Sequence, residues 1–182
     1  MSTRPLLDSR LLDITISRLA QQLVEHHFPF EDSVLLGMQP RGVFFAQRIA
    51  KKLETILGRP VPLGKLDVTF YRDDYRMHDK PIKANTTEIP FNIEDKRVIL
   101  IDDVLYTGRT VRSALDAMNA FGRPKLVELL ILVDRVYSRH IPIQPTYVGK
   151  HVNTLDTQKV KVAWREQGAE EDSIWLVNKE NA

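Results

Sequence analysis

The chain has 182 residues, with 26 Lys and Arg against 24 Asp and Glu, a net charge of +2, and no cysteine. Hydrophobic residues at 43% and charged residues at 27% match an ordinary globular composition, so disordered and fibrous classes are excluded. The missing cysteine excludes disulfide scaffolds, thiol catalysis and cysteine-rich zinc sites.

No apolar run approaches the ~20 residues of a membrane span. The opening Met1-Ser2-Thr3-Arg4-Pro5 leads into no apolar leader, so a cytoplasmic chain without a membrane segment is expected. The balanced charge neither demands nor forbids a nucleic-acid partner.

Leu12, Ile16, Leu19 and Leu23 recur at helical spacing between Asp8 and Glu25, with Asp8 or Ser9 as the cap. His26-His27 ends this helix, where cationic side chains suit the dipole. Ser33 to Met38 reads as a buried strand. Phe45, Ile49, Leu53 and Ile56 predict a second helix, stopped by Gly58-Arg59-Pro60. Pro62 to Tyr71 reads as another strand. Arg72 to Thr87 is highly polar and lacks a hydrophobic period, the mark of a long surface loop or lid.

Val98 to Ile101 is a continuous apolar run, expected of a strand covered on both faces. A helix from about Thr110 carries Val111, Leu115 and Met118, and Gly122-Arg123-Pro124 ends it. Leu126 to Val133 is the next buried strand. Lys159 to Trp164 and Ser173 to Val177 are two further strands, in which Trp164 and Trp175 pack. Strands alternating with helices predict an α/β fold built on a mostly parallel sheet.

The chemistry concentrates in Val98, Ile99, Leu100, Ile101, Asp102, Asp103, Val104, Leu105, Tyr106, Thr107, Gly108, Arg109 and Thr110. A buried strand delivers two adjacent acids to its carboxyl end, where open α/β sheets bind ligands. A short Thr-Gly-Thr loop then opens a helix. Its free amides, with the helix dipole behind them, make a phosphate cradle. Gly108 permits close backbone approach, and Thr107 and Thr110 add hydroxyls. Asp102 and Asp103 suit ribose hydroxyls or Mg²⁺ rather than phosphate. Acids one loop away from a phosphate cradle describe a ribose 5-phosphate. The alternative is a strand-end acid pair that merely caps the next helix.

This stretch resembles the 5-phosphoribosyl pyrophosphate (PRPP) motif of type I phosphoribosyltransferases. Within that superfamily the chain is most similar to the PyrR family, pyrimidine operon attenuators that are also uracil phosphoribosyltransferases. Gly37-Met38-Gln39-Pro40-Arg41-Gly42, Asp67 to Asp74, Gly122-Arg123-Pro124 and Leu132-Val133-Asp134-Arg135 match in order, and the likeness runs from about Leu11 to Val162.

The resemblance implies one phosphoribosyltransferase domain over 1–182, with a parallel sheet flanked by helices and a small hood from the terminal segments. It implies transfer of phosphoribosyl from PRPP, with Mg²⁺, to uracil, giving UMP and pyrophosphate. Asp102 and Asp103 would hold the ribose hydroxyls and help orient Mg²⁺. Gln39, Pro40, Arg41 and Gly42 would form the pyrophosphate loop, with the Pro40–Arg41 bond as the candidate cis peptide. The segment 72–87 would be the flexible lid, with Arg72 meeting pyrophosphate and Lys80 and Lys83 as weaker candidates.

Tyr106, Asp134 and Arg135 would surround the base. Tyr106 stands where purine enzymes usually carry an aspartate, and a phenol is a poor substitute for that carboxylate. The resemblance also implies binding of pyrimidine operon mRNA, with Ser17, Arg18, Gln21, Arg139 and Lys150 as contacts and His140 and His151 nearby. The chain departs from the family pattern over 136–154, where it is one residue longer and lacks an arginine after Pro142-Ile143. An enzyme alone and an RNA-binding regulator therefore both stay open. A homo-oligomer is implied, which apolar residues of the first helix would serve.

Overall fold

The computed structural model describes residues 3–72 and 85–178. Five strands, β2 (Ser33–Met38), β3 (Leu63–Leu66), β4 (Arg97–Leu105), β5 (Leu126–Val136) and β6 (Tyr147–Asn153), form a parallel sheet in the order β3-β2-β4-β5-β6. Helices α1 (Ser9–His27) and α2 (Gly42–Leu57) cover one face. Helix α3 (Arg109–Met118) covers the other.

The strand pleat sorts the side chains between these two layers. Leu35, Ile99, Ile101, Leu130 and Leu132 pack toward α1 and α2. Val34, Leu36, Val98, Leu100, Leu129 and Ile131 pack toward α3. Both faces are buried, so the central strands read as unbroken apolar runs instead of alternating ones.

A second, antiparallel sheet joins β1 (Arg4–Leu7), β8 (Ser173–Asn178) and β7 (Gln158–Ala163) in that order. Trp164 anchors it and is fully buried. The Arg48 guanidinium of α2 lies 4.4 Å from that ring and is itself paired with Asp172 and Glu166. Cation, ring and carboxylates thus dock the small sheet onto α2.

Several expectations change in detail. The strand expected over Pro62 to Tyr71 stops at Leu66, and Thr69–Tyr71 turns as a 3₁₀ helix. β1 and β6 carry no strong apolar run and escape a sequence reading. Leu12, Ile16, Leu19 and Leu23 of α1 are buried in the core of their own chain, while Leu11 and Ile14 of the same helix are exposed.

His27 is not a solvated cation at a helix end. Its ring is buried, with Nδ1 2.7 Å from Ser33 Oγ and Nε2 3.1 Å from both Tyr147 Oη and Glu128 Oε2. Burial lowers its pKa to about 4 against the pull of Glu128. A neutral ring therefore ties α1 to β2, β5 and β6. Among the described residues no helix is long and apolar enough to cross a membrane.

Candidate active site at the carboxyl edge of the sheet

β4 runs Asp102-Asp103 out of the core at the carboxyl edge of the sheet. Asp102 lines a cleft of about 260 Å³ together with Arg72, Tyr106 to Val111 and Ser113. Asp103 faces Arg41, with Arg41 Nε 3.4 Å from its Oδ2. The Asp103 amide donates to Asp102 Oδ1 at 2.9 Å, which locks the pair. Burial, then the charge of Asp103, pushes the Asp102 pKa well above the usual carboxylate range. Burial raises Asp103 too, offset in part by Arg41. Two desolvated acids side by side are relieved by hydrogen-bond donors or by a cation.

Thr107 to Thr110 continue from β4 into α3. Gly108 sits at φ 88°, a left-handed conformation that glycine adopts without penalty. α3 then starts with no side-chain cap and no acid in its first turn. The Arg109 amide donates to Thr107 Oγ1 at 3.4 Å, and the positive dipole end of the helix suits an anion. The turn is held from behind. His140 and Ile141 donate their amides to Thr107 O at 3.0 and 3.2 Å, and Ile141 and Ile143 back Gly108.

The turn before α2 approaches the same edge. Gly42 lies so close to β4 that a Cβ on it would stand 2.6 Å from Ile101 O and 3.0 Å from the Asp102 Cα. Only the absent side chain lets α2 begin against the acid pair. Arg41 donates to Val162 O of β7 as well as facing Asp103, so it joins the small sheet to the acids. Its buried Nε has no hydrogen-bond partner among the described residues. Gln39 Nε2 donates to Thr86 O. The cis peptide of this turn is Gln39–Pro40, one bond before the one expected.

The base-site candidates separate by strand parity. Arg135 points toward Tyr106, its guanidinium 3.9 Å from the ring centre, and it donates to Thr154 Oγ1 and Gln158 O. Asp134 points the other way, to Arg139 and to His151 Nδ1 at 3.2 Å. Tyr106 alone of the three lines the cleft.

The RNA candidates divide as well. Arg18 of α1 donates to Gly149 O of β6 at 2.7 Å, while Lys150, the next residue of that strand, alternates to the face opposite the one Gly149 turns to α1. Gln21 is exposed, and Ser17 donates back to Asp13 O within the helix. Arg139 is turned inward and bonded at every nitrogen, so the expected surface contact is corrected: its polar atoms face the protein. His78, Lys80 and Lys83 lie outside the described residues.

Sequence reading assigned no role to Asp67. Its Oδ1 accepts from Thr69 N and Thr69 Oγ1, and its Oδ2 accepts from Asn85 N. One carboxylate thus clips both ends of the polar segment. The signal was present as Asp67-Val68-Thr69, an Asx-type turn at a strand end.

A model of the phosphoribosyl transferase domain matches residues 2–167. The chain is 46% identical over 166 residues to the bifunctional protein PyrR of Latilactobacillus sakei subsp. sakei, covering 90% of this chain and 92% of that protein. It is 48% identical over 170 residues to the bifunctional protein PyrR of Streptomyces coelicolor, covering 93% and 85%. The chain belongs to the PyrR family of phosphoribosyltransferases.

A hypoxanthine phosphoribosyltransferase from Staphylococcus aureus superimposes with a TM-score of 0.73 at 20% identity, over 98% of this chain and 94% of that one. The HGPRT-ase of Leishmania tarentolae in complex with GMP superimposes with 0.73 at 15% identity, over 97% and 96%. At that identity the likeness establishes the type I phosphoribosyltransferase fold.

Proposed function

We propose that this PyrR-family chain transfers the 5-phosphoribosyl group of PRPP to N1 of uracil, giving UMP and pyrophosphate, and binds pyrimidine operon leader RNA when UMP is bound. The observation that carries the first part is the cleft that Asp102 shares with the start of α3, where Asp102 is locked to an Asp103 that faces Arg41. The acids would hold the ribose 2- and 3-hydroxyls, and the Thr107–Thr110 turn the 5-phosphate. That fixes C1 by interactions far from the reacting bond. The carboxylates also favour positive charge on the sugar as pyrophosphate departs. Arg41, whose side chain is partly exposed beside Asp103, supports a role toward that leaving group.

Mg²⁺ fits as a partner of PRPP, not as a resident ion. Among the described residues no group of three or more His, Cys, Asp or Glu could hold a metal. Two buried carboxylates plus substrate oxygens suit Mg²⁺, which keeps several waters and few protein ligands. When bound it would neutralise pyrophosphate charge, with Asp102 and Asp103 orienting it. Tyr106, held under Arg135, supports a pyrimidine rather than a purine base.

UMP synthesis from PRPP and uracil tests the reading. Asp103→Asn and Arg41→Ala are each expected to lower the rate by about 10²–10³, the usual cost of a preorganised electrostatic partner. Wild-type protein that makes no UMP refutes the transferase assignment.

RNA binding is supported by the PyrR relatives and by Arg18 and Gln21, exposed three residues apart on α1. A UMP-saturated sample should lose affinity for leader RNA steeply as salt rises, since each neutralised phosphate releases counterions. A flat, weak response refutes it. The inward Arg139 favours a second reading, a uracil phosphoribosyltransferase that does not regulate through RNA.

A further inference from the structure

Arg139 looks in sequence like a surface cation, but it is the hub of the loop that follows β5. Its Nη1 donates to Tyr106 O at 2.6 Å and to Arg135 O at 3.1 Å. Its Nε donates to Ile143 O at 3.1 Å, and its Nη2 donates to Asp134 Oδ1. All three nitrogens are committed. Asp134 is buried and fixes the fork from below. The residues that follow Arg139 press on the next two residues of the same turn: His140 and Ile141 through their amides on Thr107 O, and Ile141 and Ile143 against Gly108. Three successive residues of the phosphate turn, 106 to 108, are therefore supported by one loop wound around one guanidinium.

We infer that Arg139, oriented by Asp134, is a positioning residue that holds the 5-phosphate cradle in its binding geometry, and is not an RNA contact. It does not line the cleft. It acts by fixing the backbone from which the Thr107–Thr110 amides face the cleft. A planar fork is required because the four acceptors lie on three sides of the group, which a point-charge ammonium cannot span.

The inference rests on the transferase reading, and UMP binding separates the two. Calorimetric titration of UMP and of ribose 5-phosphate is run on wild type, Arg139→Met and Arg139→Lys, with melting curves as the check on folding. Both variants should bind UMP and ribose 5-phosphate at least tenfold more weakly than wild type. The KM for PRPP should rise by a similar factor, and by more than the KM for uracil. Asp134→Asn should repeat the loss, and the double variant Asp134→Asn with Arg139→Met should be no worse than Arg139→Met alone, because the two act as one unit.

If Arg139→Met does not fold, Arg139→Lys carries the measurement, since it keeps the charge and the aliphatic stem. Wild-type UMP affinity in folded Arg139→Lys, together with a shallower salt dependence of leader-RNA binding, overturns the inference and returns Arg139 to the RNA surface. Wild type that binds neither UMP nor ribose 5-phosphate overturns the transferase reading instead.

Discussion

Gly42→Ala places a single methyl group where the fold brings a helix start against the acid pair. The backbone there needs no left-handed conformation, and alanine in a helix is better than glycine by up to ~1 kcal/mol. Propensity alone therefore predicts a more stable protein. The new Cβ, however, would stand 2.6 Å from Ile101 O, 3.0 Å from Asp102 Cα and 3.0 Å from Asp102 Oδ1. Against a comfortable separation of about 3.5 Å, α2 must retreat by about 0.9 Å at its first turn.

Two of the three crowded atoms are backbone, in a strand buried on both faces, so the helix moves and the strand does not. Overpacking of this kind costs ~1–3 kcal/mol and outweighs the propensity gain. The net loss of up to about 2 kcal/mol corresponds to a Tm lowered by up to roughly 8 °C for a chain of this size. The effect on activity should be larger. Arg41 precedes Gly42 and rides on the same turn, and a misplacement of about 1 Å costs ~10²-fold in rate. Thermal unfolding and the initial rate of UMP synthesis measure the two. A variant as stable and as active as wild type would show that α2 does not set the position of Arg41.

Other outcomes follow from the same structure. His27 is neutral when folded, with a pKa lowered to about 4, and charged when unfolded below about 6.5. The unfolded state thus binds more protons between those values, and stability falls as pH drops, by about 2 kcal/mol from pH 7 to pH 5. Urea midpoints should show this loss, and His27→Gln should flatten it. Arg48→Ala removes the cation over Trp164 and leaves Asp172 without its side-chain partner, so a loss of ~2–4 kcal/mol is expected in chemical denaturation. Arg18→Ala should leave UMP synthesis unchanged and reduce the salt dependence of leader-RNA binding, as measured by filter retention; an unchanged slope would remove Arg18 from the RNA surface.

The central strands and the acid-bearing turn were legible because their causes are local. Val98 to Ile101 is apolar throughout, Gly108 meets a backbone requirement, and Asp8 caps α1 by accepting from Leu11 N. β1 and β6 were not legible: β1 has four residues and pairs with β8 at the far end of the chain, and the apolar pattern of β6 is broken by Gly149, Lys150 and His151. The direction of side chains was also beyond local pattern. Asp134 and Arg135 are neighbours in sequence but face opposite sides of β5, one toward Arg139 and His151, the other toward Tyr106.

Sequence alone determined the strand-turn-helix that carries Asp102, Asp103 and the phosphate turn, because hydrogen bonding, glycine conformation and strand burial act within a few residues. Only the tertiary structure decided which charges are free. Arg139 faces inward, His27 is neutral and Asp67 clips two distant segments, because a side chain's partners are set by what the fold brings beside it.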